Sequence, residues 1–395
     1  MEEQAKLEDL LEQAKQGDAT AQFRVGLYYY QAEGDEQSFT EAVKWFQAAA
    51  EQGFADAQDL LGDCYSEGHG VRRSPKTAVK WYRLAAEQGN SFAQNSLAVA
   101  YSKGAGVAQS EEEALKWTRR SAEQGNPVAQ FNLAQRYRLG VGGLRQSNRE
   151  AVKWYRRAAE QDDADAQFLL GLCYEAGRGV RKSEASAAKW ILAAAENGNP
   201  HAQFLFGRFL EDGKGVRKDP AEAILWYRKA AEQGFPPAAN VLAIHYSTGQ
   251  YVEQSSAEAV RWFRFAAERG EADAQFNLAQ RYQHGADGLE QSDKEALKWF
   301  RRAAEQGDAD AQRIVGLMYE HGRGVKASDV EAVDWYRRAA EQGNADAQVC
   351  LGNMYAWGHG VLPSPKEAAK WYRRAAEQGN EEAAEALRRL EEDAD

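Results

Sequence analysis

Several loops in this chain set two glycines around one residue, among them Gly68-His69-Gly70, Gly104-Ala105-Gly106, Gly177-Arg178-Gly179, Gly213-Lys214-Gly215 and Gly322-Arg323-Gly324. Backbone amides in such loops can cradle a phosphate. That chemistry also needs a following Lys-Ser/Thr and a loop entered from a strand. None of these continues that way, and all recur with one period, so they read as turns. Six histidines are scattered, at 69, 201, 245, 284, 321 and 359. His284 and His321 lie one period apart, about 10 Å by helix packing distance. That is too far for a shared metal, and no Cys or carboxylate set completes a tetrahedral site. No metal site, cofactor or catalytic residue is assigned, since no Ser-His-Asp or Cys-His arrangement stands out. Arg pairs at 119/120, 156/157, 301/302, 337/338 and 373/374 could bind anions. They alternate with Lys and Glu on the outward face of a helix, with Arg373 and Glu377 at i, i+4. The expectation is a solvated face laced with weak ion pairs. A formal charge of −11 argues against nucleic acid as a partner.

The elements that carry these residues follow from one spacing. Trp45, Trp81, Trp117, Trp154, Trp190, Trp226, Trp262, Trp299, Trp335 and Trp371 are 36 or 37 residues apart. A period near 36 with two helical patterns in each unit means stacked helix pairs. The unit 344–379 serves as template. Ala347, Leu351 and Tyr355 fall on one face, which predicts a first helix over Ala345 to Ala356. Gly358-His359-Gly360 breaks it. Ser364-Pro365-Lys366-Glu367 then reads as a capping box that starts the second helix. Ala368, Ala369, Tyr372, Ala375 and Ala376 share its buried face, and Gly379 ends it. Small Ala and Gly let helix axes approach, and large Trp and Tyr fill the gaps between units. Asp162 stands where other units have the terminal Gly, which predicts a modest cost or an altered turn.

Ten such units run from 18 to 379. Residues 1–17 read as an N-terminal capping helix and 380–395 as a C-terminal one, as an open-ended array requires. No apolar run reaches the roughly 18 residues of a membrane span, so no membrane insertion is expected. The acidic N-terminus lacks a basic start and an apolar stretch. The sequence as it stands therefore reads as cytoplasmic, or as periplasmic or secreted where a leader has been removed. Three cysteines make no disulfide framework and read as buried small hydrophobes.

The segment "ADAQVCLGNMYAWGHGVLPSPKEAAKWYRRAAEQG" shows the shared pattern at its clearest. It resembles the Sel-1-like repeat family, a relative of tetratricopeptide repeats, and the resemblance covers residues 18–379. It implies an all-α, right-handed superhelical α/α solenoid of about ten helix-pair repeats. It also implies a non-enzymatic scaffold or adaptor that binds a partner protein or peptide in its concave groove. Two other roles come with the resemblance: an immunity or inhibitor protein against a bacterial toxin, and β-lactam binding or hydrolysis. Some family members carry a cysteine pair in each repeat. This chain does not, so a disulfide-stapled form is not expected. A monomer is favoured.

A longer beat runs through the short one. Extra loop residues in "GVGGL" and "GADGL" lie 145 residues apart, and "AQFNLAQRY" occurs at 129–137 and at 274–282. A four-repeat block is thus used about two and a half times. Gene duplication accounts for it, and a ligand patch copied with the block is the sharper reading. In tetratricopeptide-like arrays the first helix of each pair lines the groove. Its inner positions need not pack neighbours and are free to vary. Aromatic anchors and Arg supply much of the affinity at protein interfaces. The expected partner-binding residues are Phe23, Leu27 and Tyr30; Phe131, Gln135 and Arg138; Phe168 and Leu172; Phe204 and Arg208; Phe276 and Gln280; and Arg313.

Overall fold

The computed structural model describes residues 2–32 and 38–392, with side chains from residue 7. Twenty-two α-helices and no strand are present among them. The first is Glu2–Lys15 and the last Glu381–Glu392. The twenty between form ten pairs, each a first and a second helix of 12 or 13 residues. The template helix runs Ala345–Trp357, one residue past its expected end. The helices fall into two compact units, residues 1–202 with 214–216, and residues 203–213 with 217–395. Each unit is an α-solenoid stack in which helices pack on their sequence neighbours.

In the N-terminal unit, the Ala85/Ala86 and Ala158/Ala159 pairs are buried, and Tyr155 is fully enclosed. A Cβ at Gly62 would stand 2.5 Å from the Tyr82 ring, so only glycine admits that tyrosine. A row of buried glutamines runs through the same core: Gln22, Gln58, Gln94, Gln130 and Gln167. Gln94 Nε2 donates to the Ala86 carbonyl at 3.1 Å, and its Oε1 accepts from Gln124 Nε2 at 2.8 Å. Each glutamine so ties the end of one second helix to the next. The C-terminal unit repeats the scheme with Gln275, Gln312 and Gln348. It lacks one rung, because Ala239 and Arg269 stand in both glutamine positions.

Three local expectations need correction. The capping box is only half formed. Ser110 Oγ accepts from the Glu113 amide at 3.3 Å, but the Ser110 amide already donates to the Tyr101 carbonyl at 3.0 Å. The Glu113 carboxylate turns instead to Lys116 and to Trp117 Nε1. The Arg373–Glu377 pair is replaced by Arg373–Glu391 at 3.4 Å. Arg301 keeps the expected i, i+4 ion pair with Glu305 at 3.0 Å, whereas Arg156 and Arg337 reach a hydroxyl of the following repeat, as Arg156 Nη2 does to Tyr174 at 2.7 Å. The second Arg of a pair lies over its own Trp, as Arg157 does over Trp154 at 4.6 Å. Ring stacking and hydroxyl bonding hold most of these guanidinium groups where ion pairing alone was expected. Of the cysteines only Cys64 is fully buried, and Cys173 and Cys350 are half-buried. Asp162 alters its turn slightly, as expected: it takes φ 63° where the glycines at this position take 87–99°, and the helix before it ends one residue early, at Ala159.

Candidate functional site

The first helices present the candidate residues. None of the thirteen is fully buried. The five phenylalanines are half-buried, each with a ring contact. Phe131 lies 5.9 Å from Tyr155, Phe204 5.7 Å from Tyr227, and Phe276 5.3 Å from Phe300. Phe23 packs 5.1 Å from Phe54, and Phe168 6.0 Å from His201. These rings are thus shared between packing and surface. Leu27 and Tyr30 join the core around Phe46. Arg138 and Leu172 line one cavity of 440 Å³. Arg208 is exposed and Gln280 half-buried. Arg313 Nε lies 4.0 Å from Asp346 Oδ2.

The inner positions are less free than the sequence suggests. Where the second helix carries a tyrosine, the first helix supplies an acceptor for its hydroxyl. Tyr82 donates to Asp63 at 2.7 Å, Tyr155 to Gln135 at 2.9 Å, Tyr227 to Glu211 at 2.7 Å and Tyr372 to Asn353 at 2.6 Å. Where Phe46, Ile191 or Phe263 replaces the tyrosine, Leu27, Leu172 and Ile244 stand at the position of Asp63, Gln135 and Asn353; Gln280 stays polar opposite Phe300, and Tyr227 and Tyr336 take their acceptors three residues further on. A buried hydroxyl without an acceptor is costly, which couples the two helices. Gln135 and Leu172 are therefore explained first by packing.

The four-repeat beat has a physical counterpart. In the N-terminal unit, Asn132 Nδ2 donates to Asn95 Oδ1 at 3.2 Å. Arg136 reaches Ser102 Oγ at 3.3 Å and Glu111 Oε2 at 2.6 Å. In the C-terminal unit, Asn277 donates to Asn240 at 3.1 Å. Arg281 reaches Ser247 Oγ at 3.2 Å and Asp287 Oδ2 at 2.7 Å. The arginine is retained while its carboxylate changes origin. Glu111 comes from the start of a second helix, and its counterpart is Ser256. Asp287 comes from the inserted loop, and its counterpart is Gly142. A Cβ at Gly142 would stand 2.3 Å from Arg136 Nη1, so glycine makes room for that guanidinium. The Arg136 bond holds the Glu111 carboxyl below its usual range.

Three residues that the sequence reading passed over meet in another cleft. It measures 410 Å³ and lies between the first helices Ala19–Gln31, Ala55–Glu67, Ser91–Lys103 and the start of Pro127–Leu139. Asp56, Asp59 and Asp63 share one face of Ala55–Glu67. Asn90 Nδ2 donates to Asp56 at 2.7 Å, and Tyr82 donates to Asp63. Asp59 is only 8 % exposed, and its Oδ1 has no donor. Burial, then Asp63 and Asp56, push its carboxyl up to about 7. Asn126 caps its helix by accepting from the Ala129 amide at 3.0 Å. It is 4 % exposed, and its Nδ2 has no acceptor.

The cause is readable one repeat earlier. Asn90, Asn199, Asn344 and Asn380 each donate to an aspartate 34 residues upstream. Thirty-four residues before Asn126 stands Phe92, which is 60 % exposed. The signal was in the sequence as a broken Asn–Asp pairing, but its meaning needs the knowledge that the cap reaches back one repeat.

Among the described residues, no group of three or more His, Cys, Asp or Glu is placed to hold a metal ion. None of their helices is long and apolar enough to cross a membrane.

Comparison with known proteins follows the same geometry. A search of curated proteins finds no match. The chain is similar to the crystal structure of c5321, a protective antigen of uropathogenic Escherichia coli with an SLR fold. The two share 32% identity over 98% of this chain and 90% of that one, with a TM-score of 0.64. A Sel1 repeat protein from Oxalobacter formigenes is 32% identical over 80% of this chain and 91% of its own, with a TM-score of 0.58. The Sel1 repeat model matches ten times, at 19–54, 55–90, 91–126, 127–163, 164–199, 200–235, 236–271, 272–308, 309–344 and 345–380. Proteins built from this repeat generally mediate protein–protein interaction. With ten consecutive matches over nearly its whole length, the chain belongs to the Sel1 repeat family.

Proposed function

We propose that this chain is a non-enzymatic adaptor that holds a partner polypeptide against the faces of its first helices. The observation that carries this reading is where large apolar side chains remain exposed. The exposed aromatic side chains within helices, Tyr28, Phe92 and Trp357, lie on first helices, as do Val128, Leu139 and Ile244, at 37 to 73 % exposure, whereas second helices expose the aliphatic Leu84, Leu225 and Val330. Phe92 and Val128 share one cleft with the half-buried Phe23, with Asp, Asn and Ser side chains between them. Apolar anchors ringed by hydrogen-bonding groups suit polypeptide recognition. The second helices present the alternative surface, and there Arg and Lys cover the Trp rings.

The test is hydrogen exchange of the full chain alone and with partners co-purified from native lysate. Protection concentrated in first helices, and weakened by Phe131→Ala/Phe276→Ala, is the expected result. Protection confined to second helices, or partners retained in full by the double variant, contradicts the reading.

A further inference from the structure

We propose that the cleft of Asp59, Phe92 and Asn126 receives a Lys or Arg side chain of a partner polypeptide, with an adjacent apolar residue of that partner lying on Phe92 and Val128. This rests on the adaptor reading above and names the chemistry of its partner.

Two independent departures from the repeat converge here. At the Asp59 position other repeats carry Phe, Asn, Arg or Val, and Phe204 packs on Tyr227 and Phe235. Asp59 is instead a buried carboxylate with an oxygen that no donor meets. Asn126 is a buried amide whose Nδ2 lost its aspartate to Phe92. Buried polar groups without partners are rare and costly in folded proteins. Both line the same 410 Å³ cleft. Together they offer one acceptor and one donor, the complement of a cationic side chain and a backbone carbonyl.

Charge selects the occupant. Asp56, Asp59 and Asp63 line the cleft with no Lys, Arg or His among its lining residues. Asp56 and Asp63 each already accept one bond within the protein, which leaves Asp59 as the unengaged acceptor. The apolar rim argues for a polypeptide over a free amine. Phe92 and Val128, 60 and 47 % exposed, give an apolar neighbour something to cover. The Phe92 ring also suits the stem or head of an Arg.

The probe is a synthetic set of ten-residue peptides with a central Arg, Lys, citrulline, Gln or Glu, flanked by Leu or by Ser. Binding to the full chain is read by fluorescence anisotropy, and unfolding of each variant by thermal melting. Arg or Lys flanked by Leu is expected to bind best, with citrulline weaker by about tenfold or more. Asp59→Asn removes that preference. Phe92→Asp restores the Asn–Asp pairing of other repeats and weakens the Leu-flanked peptides. Both variants raise Tm at pH 8, because Asp59→Asn removes a buried charge and Phe92→Asp gives Asn126 Nδ2 an acceptor in place of an exposed ring. A purely structural role for Asp59 would lower Tm instead. Peptides that bind without regard to charge, or equally to both variants, overturn the cleft and leave the adaptor reading standing. No binding by any peptide likewise overturns the cleft, and the adaptor reading is judged separately by the hydrogen-exchange test.

Discussion

The two copies of the four-repeat block differ in what they leave unfinished. In the first, Asp59, Phe92 and Asn126 make an open cleft with unmet polar groups. Their counterparts 145 residues later are Phe204, Pro237 and Glu271. Phe204 packs on rings, and the Glu271 side chain caps the Ala274 amide. Elsewhere the copies agree in role while exchanging residues. Asn132 and Asn277 hold matching Asn partners, and Arg136 and Arg281 hold matching Ser partners while pairing with different carboxylates. Duplication copied the frame. The cleft belongs to one copy, and that points to a recognition site that is not repeated with the block.

The largest predicted contrast lies in the two arginines. The Asp287 side chain is 9 % exposed, and the Glu111 side chain 46 %. Arg281→Ala strands a buried carboxylate and should cost about 3–5 kcal/mol by urea unfolding. Arg136→Ala leaves its partner in water and should cost about 1 kcal/mol or less. Adding Asp287→Gly to Arg281→Ala should recover most of the loss, since the first copy has Gly142 there. Equal losses for the two single variants would erase the distinction.

Asp59 should give the next effect, and its sign depends on pH. Its carboxyl titrates at about 7 in the fold against an ordinary value of 3.8. The raised value means that the fold favours the protonated form. Wild-type stability is therefore fully present below about pH 4 and declines as pH rises toward 7. The groups that face it are Asp56 and Asp63 on its own helix and Tyr82, bonded to Asp63, from the second helix. Asp59→Asn should match wild type at pH 4 and exceed it by on the order of 2–3 kcal/mol at pH 8. A constant gap across that range would show that Asp59 does not titrate there. Phe204→Asn in the second copy should show no such pH dependence and should destabilise, because it removes ring packing.

The glutamine rung offers the smallest contrast. Gln94→Ala with Gln124→Arg copies the second block into the first and should cost about 1–2 kcal/mol. Restoring both glutamines at Ala239 and Arg269 should stabilise the second copy. A double-mutant cycle checks the coupling, and simple additivity would mean that the two glutamines act separately.

Much of the architecture was legible before any coordinates. The Trp spacing delivers the repeat count, and the Ser caps locate each second helix within a residue. Side-chain partners were less legible, because one motif position serves several neighbours. Ser110 could not complete a capping box once Tyr101 had taken its amide. Arg373 turned from its i+4 glutamate to the following helix. The inner first-helix positions looked free, yet tyrosine hydroxyls opposite them dictate Asp63, Gln135 and Asn353. Variation alone therefore misplaced part of the candidate site. The better signal was a failed correlation, an Asn cap with no aspartate 34 residues before it. Reading it requires knowing that the cap amide reaches back across a repeat, which is a fact of packing.

The central claim is that the block duplication carries one recognition cleft. Isothermal titration of the full chain with the Leu-flanked Arg peptide tests it most directly. The account predicts a stoichiometry of one, abolished by Asp59→Asn and unchanged by Phe204→Ala. Two equivalents per chain, or one equivalent lost with Phe204 and kept without Asp59, would contradict it.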